Sequence, residues 1–323
     1  MRESLRRIFA VFQVRNIEFY RDWGALVWSL VFPVLMMLAF GYLFRADESL
    51  RFKVGRIAEA KAPEVFEESF FEWVSYETLS SAEKRLHANK LDLVWNGKWN
   101  GGVVVYASES PRSLLALKVF ETHEPKGVAL VKRAVAGKPV SYAEWLFSGV
   151  LAMNVLWLSL WGVGWVIVRQ RKYGILKRFK ASPLYPHEYL IAQLFSRLWV
   201  LVASGIFVFL VSRWVYPFRV EGSVWSLLLI YTLGCLSMSS IGLIVAARVT
   251  SEELANGLLN FFTYPMMFLS EIWFSLEGSP EWVQKTAHAL PLWQMTDAMR
   301  RIQLEGATLA ECSSALWGMT PTA

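Results

Sequence analysis

Five long apolar runs, separated by charged segments, set the plan of this chain. Trp23–Phe44, Trp145–Val168 and Val224–Ala247 carry no charged residue. Tyr189–Ser212 is interrupted by Arg197 alone, and Leu254–Phe274 by Glu271 alone. A run of about 18 or more apolar residues suffices for a helix to cross the hydrocarbon core of a bilayer. Trp and Tyr gather near the ends of the runs, where amphipathic rings sit at headgroup level. The pattern predicts a polytopic, mostly α-helical membrane protein.

The segments between the runs have characters of their own. In residues 1–22, Leu5, Ile8, Phe9, Phe12 and Phe19 recur at helical spacing with arginines on the other face, which predicts an amphipathic helix lying in the membrane interface. Asp22 stands where it can cap the first span. Residues 45–144 form a stretch of domain size. Strands are predicted at Phe52–Ile57, Leu91–Trp95 and Gly102–Tyr106, with a helix over Ser80–Lys90 capped by Ser80 and Glu83, so a small α/β domain is expected. After the fifth run the sequence breaks into acidic residues, a Gly-Ser-Pro turn and a semi-apolar stretch ending at Met299–Arg301. A re-entrant or interfacial pair of helices fits this better than a span. Thr308–Met319 is too short for a sixth crossing, so the sequence reads as either a shortened chain with an external or part-buried C-terminus or a five-span variant.

Charge orients this plan. The segment RQRKYGILKRFKASPL, residues 169–184, holds Arg169, Arg171, Lys172, Lys177, Arg178 and Lys180 with no acid, directly after the second run. Short loops rich in Lys and Arg remain on the cytoplasmic side. With the N-terminal arginines this places residues 1–22 and 169–186 in the cytosol and residues 46–144 outside. Gly174, Pro183 and Pro186 delimit a short helix within the basic loop, the form of a docking element for a soluble partner. The net charge of +6 follows from topology and gives no reason to expect nucleic-acid binding.

Three stretches together resemble the permease subunits of ABC-2 type exporters. Phe19–Phe44 is similar to that family's elbow helix and first span, with Arg21 and Asp22 among the matched positions. Leu151–Leu184 resembles its second span and coupling segment, matched at Arg171, Gly174 and Leu176, with Arg178 and Pro183 in the same segment. Phe268–Arg300 resembles its outer hairpin, matched at Pro280, Trp282, Pro291 and Arg300. The chain departs from the family pattern at Lys172 and Ile175, where an acid and a threonine are usual, and at Glu271, where glycine is. The resemblance implies an elbow at 1–22, a first span at 23–44, an extracytoplasmic domain at 45–144 and a transmembrane domain at 145–323. The coupling segment would occupy 169–186 and the outer hairpin 271–301. It implies about five to six transmembrane helices in all, in the cytoplasmic membrane of a prokaryote. It also implies a separate ABC ATPase subunit that binds ATP, a second permease chain as homo- or heterodimer partner, and no cofactor in this chain.

Catalytic and metal-binding patterns are missing from the sequence. Gly97-Lys98 and Gly137-Lys138 lack the GxxxxGK[ST] form of a phosphate-binding loop. His87, His123, His187 and His288 are too scattered for metal-ligand spacing. The chain therefore reads as a transport subunit and not an enzyme. An ion-coupled secondary transporter would call for acids deep in the spans, and the three clean runs have none. A membrane-anchored receptor or assembly factor acting through the external domain is the remaining alternative. Arg197 is expected to snorkel toward the cytoplasmic surface, and Glu271 to lie near the outer interface.

Overall fold

The computed structural model describes residues 2–43, 52–57, 71–87, 91–96, 103–107, 111–122, 131–135, 142–215, 220–276 and 279–319. They fall into two compact units, residues 1–42 with 143–323, and residues 43–142.

The smaller unit is a five-stranded sheet in the order β2-β1-β3-β4-β5, with β1 at Phe52–Ile57, β2 at Phe71–Tyr76, β3 at Leu93–Asn96, β4 at Val103–Ala107 and β5 at Val131–Val135. β1 runs parallel to both β2 and β3, β3 and β4 are antiparallel, and β4 and β5 are parallel. Alternation along the strands makes two apolar faces. Val54, Leu93, Trp95 and Val104 pack with Ala116, Leu117 and Phe120 of α5 (Pro111–Thr122). Val94 and Val105 pack on the other face with Ala82 and Leu86 of α4 (Leu79–His87). The strand predicted at Phe52–Ile57 is present with the same bounds, and the other two strands and the helix with shifted ends, whereas β2, β5 and α5 were not anticipated. The expected capping pair is corrected: Thr78, not Ser80, heads α4, its Oγ1 accepting from Ser81 N at 3.4 Å while Ser81 Oγ donates to Thr78 O at 2.7 Å. Thr78 lies in the last non-helical position, where a side-chain oxygen reaches the third helical amide.

The larger unit is helical. Among the described residues, four helical stretches are long and apolar enough to cross a membrane: Trp23–Phe40, Glu144–Lys172, Pro186–Val215 and Val224–Arg248. The fifth run forms α11 (Glu252–Leu269), which is not one of the four. Glu252, Glu253, Asn256 and Asn260 in its first half lower its hydropathy. The N-terminal segment is a single helix, α1 (Arg2–Arg21), followed by α2 (Trp23–Leu26). Asp22 caps α2 as expected, its Oδ1 accepting from Ala25 N at 3.0 Å. Both of the first two spans contain a π turn. In the first, Val27–Val31 leads into α3 (Phe32–Leu43). Its cause is Pro33: an α-helix would bond the Ser29 carbonyl to the amide of residue 33, and proline has none. Asn154 of α6 (Tyr142–Ser159) supplies a donor instead, Nδ2 to Ser29 O at 2.7 Å. The second π turn, Leu160–Trp165, joins α6 to α7 (Val166–Lys172).

The remaining helices are α8 (Ile175–Lys180), α9 (Pro186–Val215), α10 (Val224–Arg248), α12 (Glu281–His288), α13 (Pro291–Glu305) and α14 (Ser313–Met319). Close packing is set by small residues. A Cβ at Gly164 would lie 2.9 Å from Gly242 O, and one at Gly149 would lie 2.3 Å from Ile272 O. α1 lies along α9, and its predicted apolar stripe divides. Phe19 is buried, whereas Leu5 and Phe9 join Val14, Ile17 and Tyr20 on an exposed apolar face suited to lipid. The arginines are not confined to the opposite side, because Arg7 turns toward α9.

Candidate coupling site

The basic loop folds as its punctuation predicts. α7 ends at Lys172, and Gly174 takes φ 71°, the left-handed region that favours glycine. A Cβ there would meet nothing within 4 Å, so the requirement for glycine is one of backbone conformation and not of space. α8 then runs for 6 residues to Lys180. A turn through Ser182 and Pro183, in which Ser182 Oγ donates to Phe179 O at 2.7 Å, returns the chain to α9 at Pro186. Leu176 is half-buried, and the Phe179 ring packs 5.6 Å from that of Tyr189. Tyr173, Lys177, Arg178, Pro183 and Tyr185 are exposed. α8 therefore rests on the spans by one side and presents a basic side outward, with Tyr173 and Tyr185 exposed on the chain before and after it.

Both flanks of the loop are anchored. Arg171 is half-buried and donates to Val249 O at 2.8 Å and Ala246 O at 3.0 Å, which satisfies carbonyls at the C-terminal end of α10. A cation at that end also complements the helix dipole. Lys172 pairs with Glu253 at 3.5 Å, linking the loop to the start of α11. Glu253 is held below its ordinary carboxylate range by its own backbone amide at that helix start and by Lys172. On the far flank, Glu188 is the meeting point. Its carboxylate accepts from Tyr185 N at 3.1 Å, from Ser4 Oγ at 2.6 Å, and from Arg7 Nε and Nη2, each at 2.9 Å. The Glu188 side chain is 1% exposed and that of Arg7 26%. Here the start of α9 and the start of α1 share one carboxylate. Further along, Asn16 Oδ1 accepts from Ser196 Oγ at 3.1 Å, and Tyr189 donates to Gln170 Oε1.

The expected coupling residues thus take different positions. Arg178 and Pro183 lie on the open surface, Gly174 shapes the turn, Leu176 sits at the edge, and Arg171 is bonded inward. Arg21 is exposed at the end of α1. Sequence reasoning missed Glu188, although a proline at the first helical position with an acid two residues on is a helix-start signal. Arg197, expected to snorkel, is half-buried: its Nε donates to Gly162 O at 2.8 Å, and its guanidinium lies 5.7 Å from the Phe19 ring.

The expected hairpin residues are spread over α12 and α13. Pro280 precedes α12, Pro291 opens α13, and Trp282 is exposed. Glycine 278 of the anticipated turn lies outside the described residues. Arg300 is 4% exposed and packs 3.7 Å from the Trp145 ring centre. Its Nη1 donates to Glu271 Oε2 at 3.3 Å, its Nη2 to Glu271 O and its Nε to Trp145 O at 3.4 Å. Glu271 was expected near the outer interface, with no partner named for it. It is paired, at φ 53°, and its Oε1 also accepts from Leu276 N at 3.2 Å.

Long apolar helices with glycine-mediated crossings and a basic, surface-exposed loop helix are those of a polytopic membrane protein. The family described as ABC-2 type transporter matches residues 108–304, more than half of the chain, and the chain belongs to that family. It is similar to the inner membrane transport permease YhhJ of Escherichia coli K12, with 27% identity over 164 residues, 50% of this chain and 44% of the relative. It is also similar to the probable multidrug ABC transporter permease YbhR of the same organism, with 24% identity over 151 residues, 47% of this chain and 41% of the relative. The chain thus spans less than half the length of each relative it matches. The family is one of transport and not of catalysis, in agreement with the sequence reading.

Proposed function

We propose that this chain is the membrane-spanning subunit of an ABC-2 type exporter in a prokaryotic cytoplasmic membrane. A separate ABC ATPase docks on residues 169–186 and hydrolyses the ATP. The carrying observation is the construction of that segment. α8 exposes Lys177 and Arg178, with Tyr173 exposed just before it, while Arg171 on one flank and Glu188 on the other fasten the segment to α10, α9 and α1. A short helix held at both ends transmits a rigid-body movement of its partner to the helices that hold it. The cargo proposed is lipophilic, on the likeness to a relative named as a probable multidrug permease.

The topology proposed puts α1 and residues 169–186 in the cytosol and the sheet unit outside. α11, at roughly 27 Å for 18 residues, then serves as a fifth crossing that delivers the hairpin to the outer side. A second permease chain completes the pathway, because five crossings are few to enclose a solute path. The test is co-purification with the candidate ATPase, using Lys177→Glu with Arg178→Glu. Loss of the ATPase from a chain that still inserts and keeps its thermal midpoint is the expected result. Undiminished capture and ATPase stimulation would leave the loop with a topological role alone.

A further inference from the structure

We infer that the π turn at Leu160–Trp165 is a two-state joint, latched in its present form by Arg197. In an α-helix the Val166 amide would bond to Gly162 O. Here it bonds to Trp161 O and Val163 O, and Gly162 O is left for other donors. Two side chains of α9 supply them, Gln193 Nε2 at 3.2 Å and Arg197 Nε at 2.8 Å. The first π turn has a covalent cause in Pro33. Residue 166 is valine, with an amide that could return to Gly162 O, so nothing covalent enforces the second.

The surroundings are shaped to this bond. A Cβ on Gly162 would stand 2.8 Å from Arg197 Nε and 2.9 Å from Cζ, so glycine leaves room for the guanidinium. Two residues on, Gly164 meets the backbone of Gly242, which pins the other side of the turn. A charged side chain within an apolar helix is costly, and a functional partner is the default expectation for one. The partner here is a carbonyl that only the π form offers.

If Arg197 releases Gly162 O, the Val166 amide recaptures it and the π turn becomes α. The helix beyond then rotates by about 100° and advances by about 1.5 Å relative to α6. α7 carries Gln170 and Arg171, so the bonds to Tyr189 and to the end of α10 must part, and the loop at 169–186 moves with them. The joint itself is a property of this chain. Only its use in transmitting movement to an ATPase rests on the proposed function.

The test therefore uses the chain alone, in detergent. Val168 is 0% exposed on α7 and Val200 is 4% exposed on α9. Each is replaced by cysteine, and its reaction with N-ethylmaleimide is followed by peptide mass spectrometry. With Arg197→Leu, Val168→Cys should react at least about tenfold faster while Val200→Cys stays protected. Gly162→Ala, which drives a methyl into the guanidinium, should reproduce the effect and add nothing to Arg197→Leu. Arg197→Lys, which keeps a donor, should restore much of the protection. Unchanged protection at 168 in Arg197→Leu overturns the inference, and so does equal exposure of 168 and 200, which would mean general loosening of α9. Failure of ATPase capture by the wild-type chain would instead count against the proposed function and leave these results standing.

Discussion

The coupling loop and the hairpin are held by the same chemistry with opposite results. Each relies on an arginine that donates to backbone carbonyls: Arg171 to Val249 and Ala246, Arg300 to Trp145 and Glu271. Each also has a carboxylate that receives an arginine from a distant helix, Glu188 of α9 at the flank of the loop and Glu271 in the hairpin. At the hairpin both partners are enclosed, with Arg300 5% and Glu271 14% exposed in their side chains. At the loop the anchors lie at the flanks and the helix between them stays open. The hairpin is fastened shut, whereas the loop is fastened in place with a free outer surface. That difference is the physical ground for reading one as packing and the other as a docking surface.

The comparison breaks first at Arg300. Arg300→Met leaves Glu271 enclosed without its cation, and removing one member of a buried pair costs about 3 kcal/mol or more. A thermal midpoint unchanged by the substitution would mean that the hairpin is not fastened there. Adding Glu271→Gly should return most of the loss, since glycine removes the orphaned charge and suits φ 53°. At the loop flank, Glu188→Gln should cost about 1–2 kcal/mol, because charge-assisted bonds from a half-exposed Arg7 become neutral ones. The readout is faster proteolytic cleavage within α1, which the wild-type contacts should suppress.

Smaller effects sharpen the contrast. Gly174→Ala places a methyl in open space at φ 71°, so only backbone strain of about 1 kcal/mol is expected. Gly174→Asn should cost less, and equal losses from the two would point to a steric cause. The smallest effect is that of pH at Glu253. Its folded carboxyl titrates below its ordinary value of 4.5, so its contribution is present above that range and is lost as pH falls through the lower folded value. Glu253→Gln should flatten that part of an acid-unfolding profile slightly, and an unaltered profile would exclude the Lys172 contact as a contributor.

How far these features could be read in advance depended on whether their cause is local. Asp22 as a cap and Gly174 as a boundary of the short loop helix are local, and both were legible. The sheet was half-legible: β3 and β4 are short apolar runs, but Glu72 and Ser75 in β2 and Lys132 and Arg133 in β5 face outward from edge strands and hide them. The placing of the cap at Ser80 failed because two adjacent hydroxyl residues follow Thr78 and spacing alone does not rank the three. The partners of Arg7, Arg171, Arg197 and Arg300 were beyond reading for a different reason. An arginine carries no local sign of which oxygen it will meet: Arg7 meets the Glu188 carboxylate, and the other three meet carbonyls brought in from elsewhere in the chain.

The mended carbonyl at Ser29 has a consequence for how the molecule is made. Its stand-in donor, Asn154, lies 125 residues further along the chain, on the next span. At bacterial translation speeds that separation is roughly 6–25 s. For this interval the first span lies in the bilayer with the proline's gap in its hydrogen bonding unmended by its partner. Biogenesis therefore has a fixed order, in which the second span completes the first.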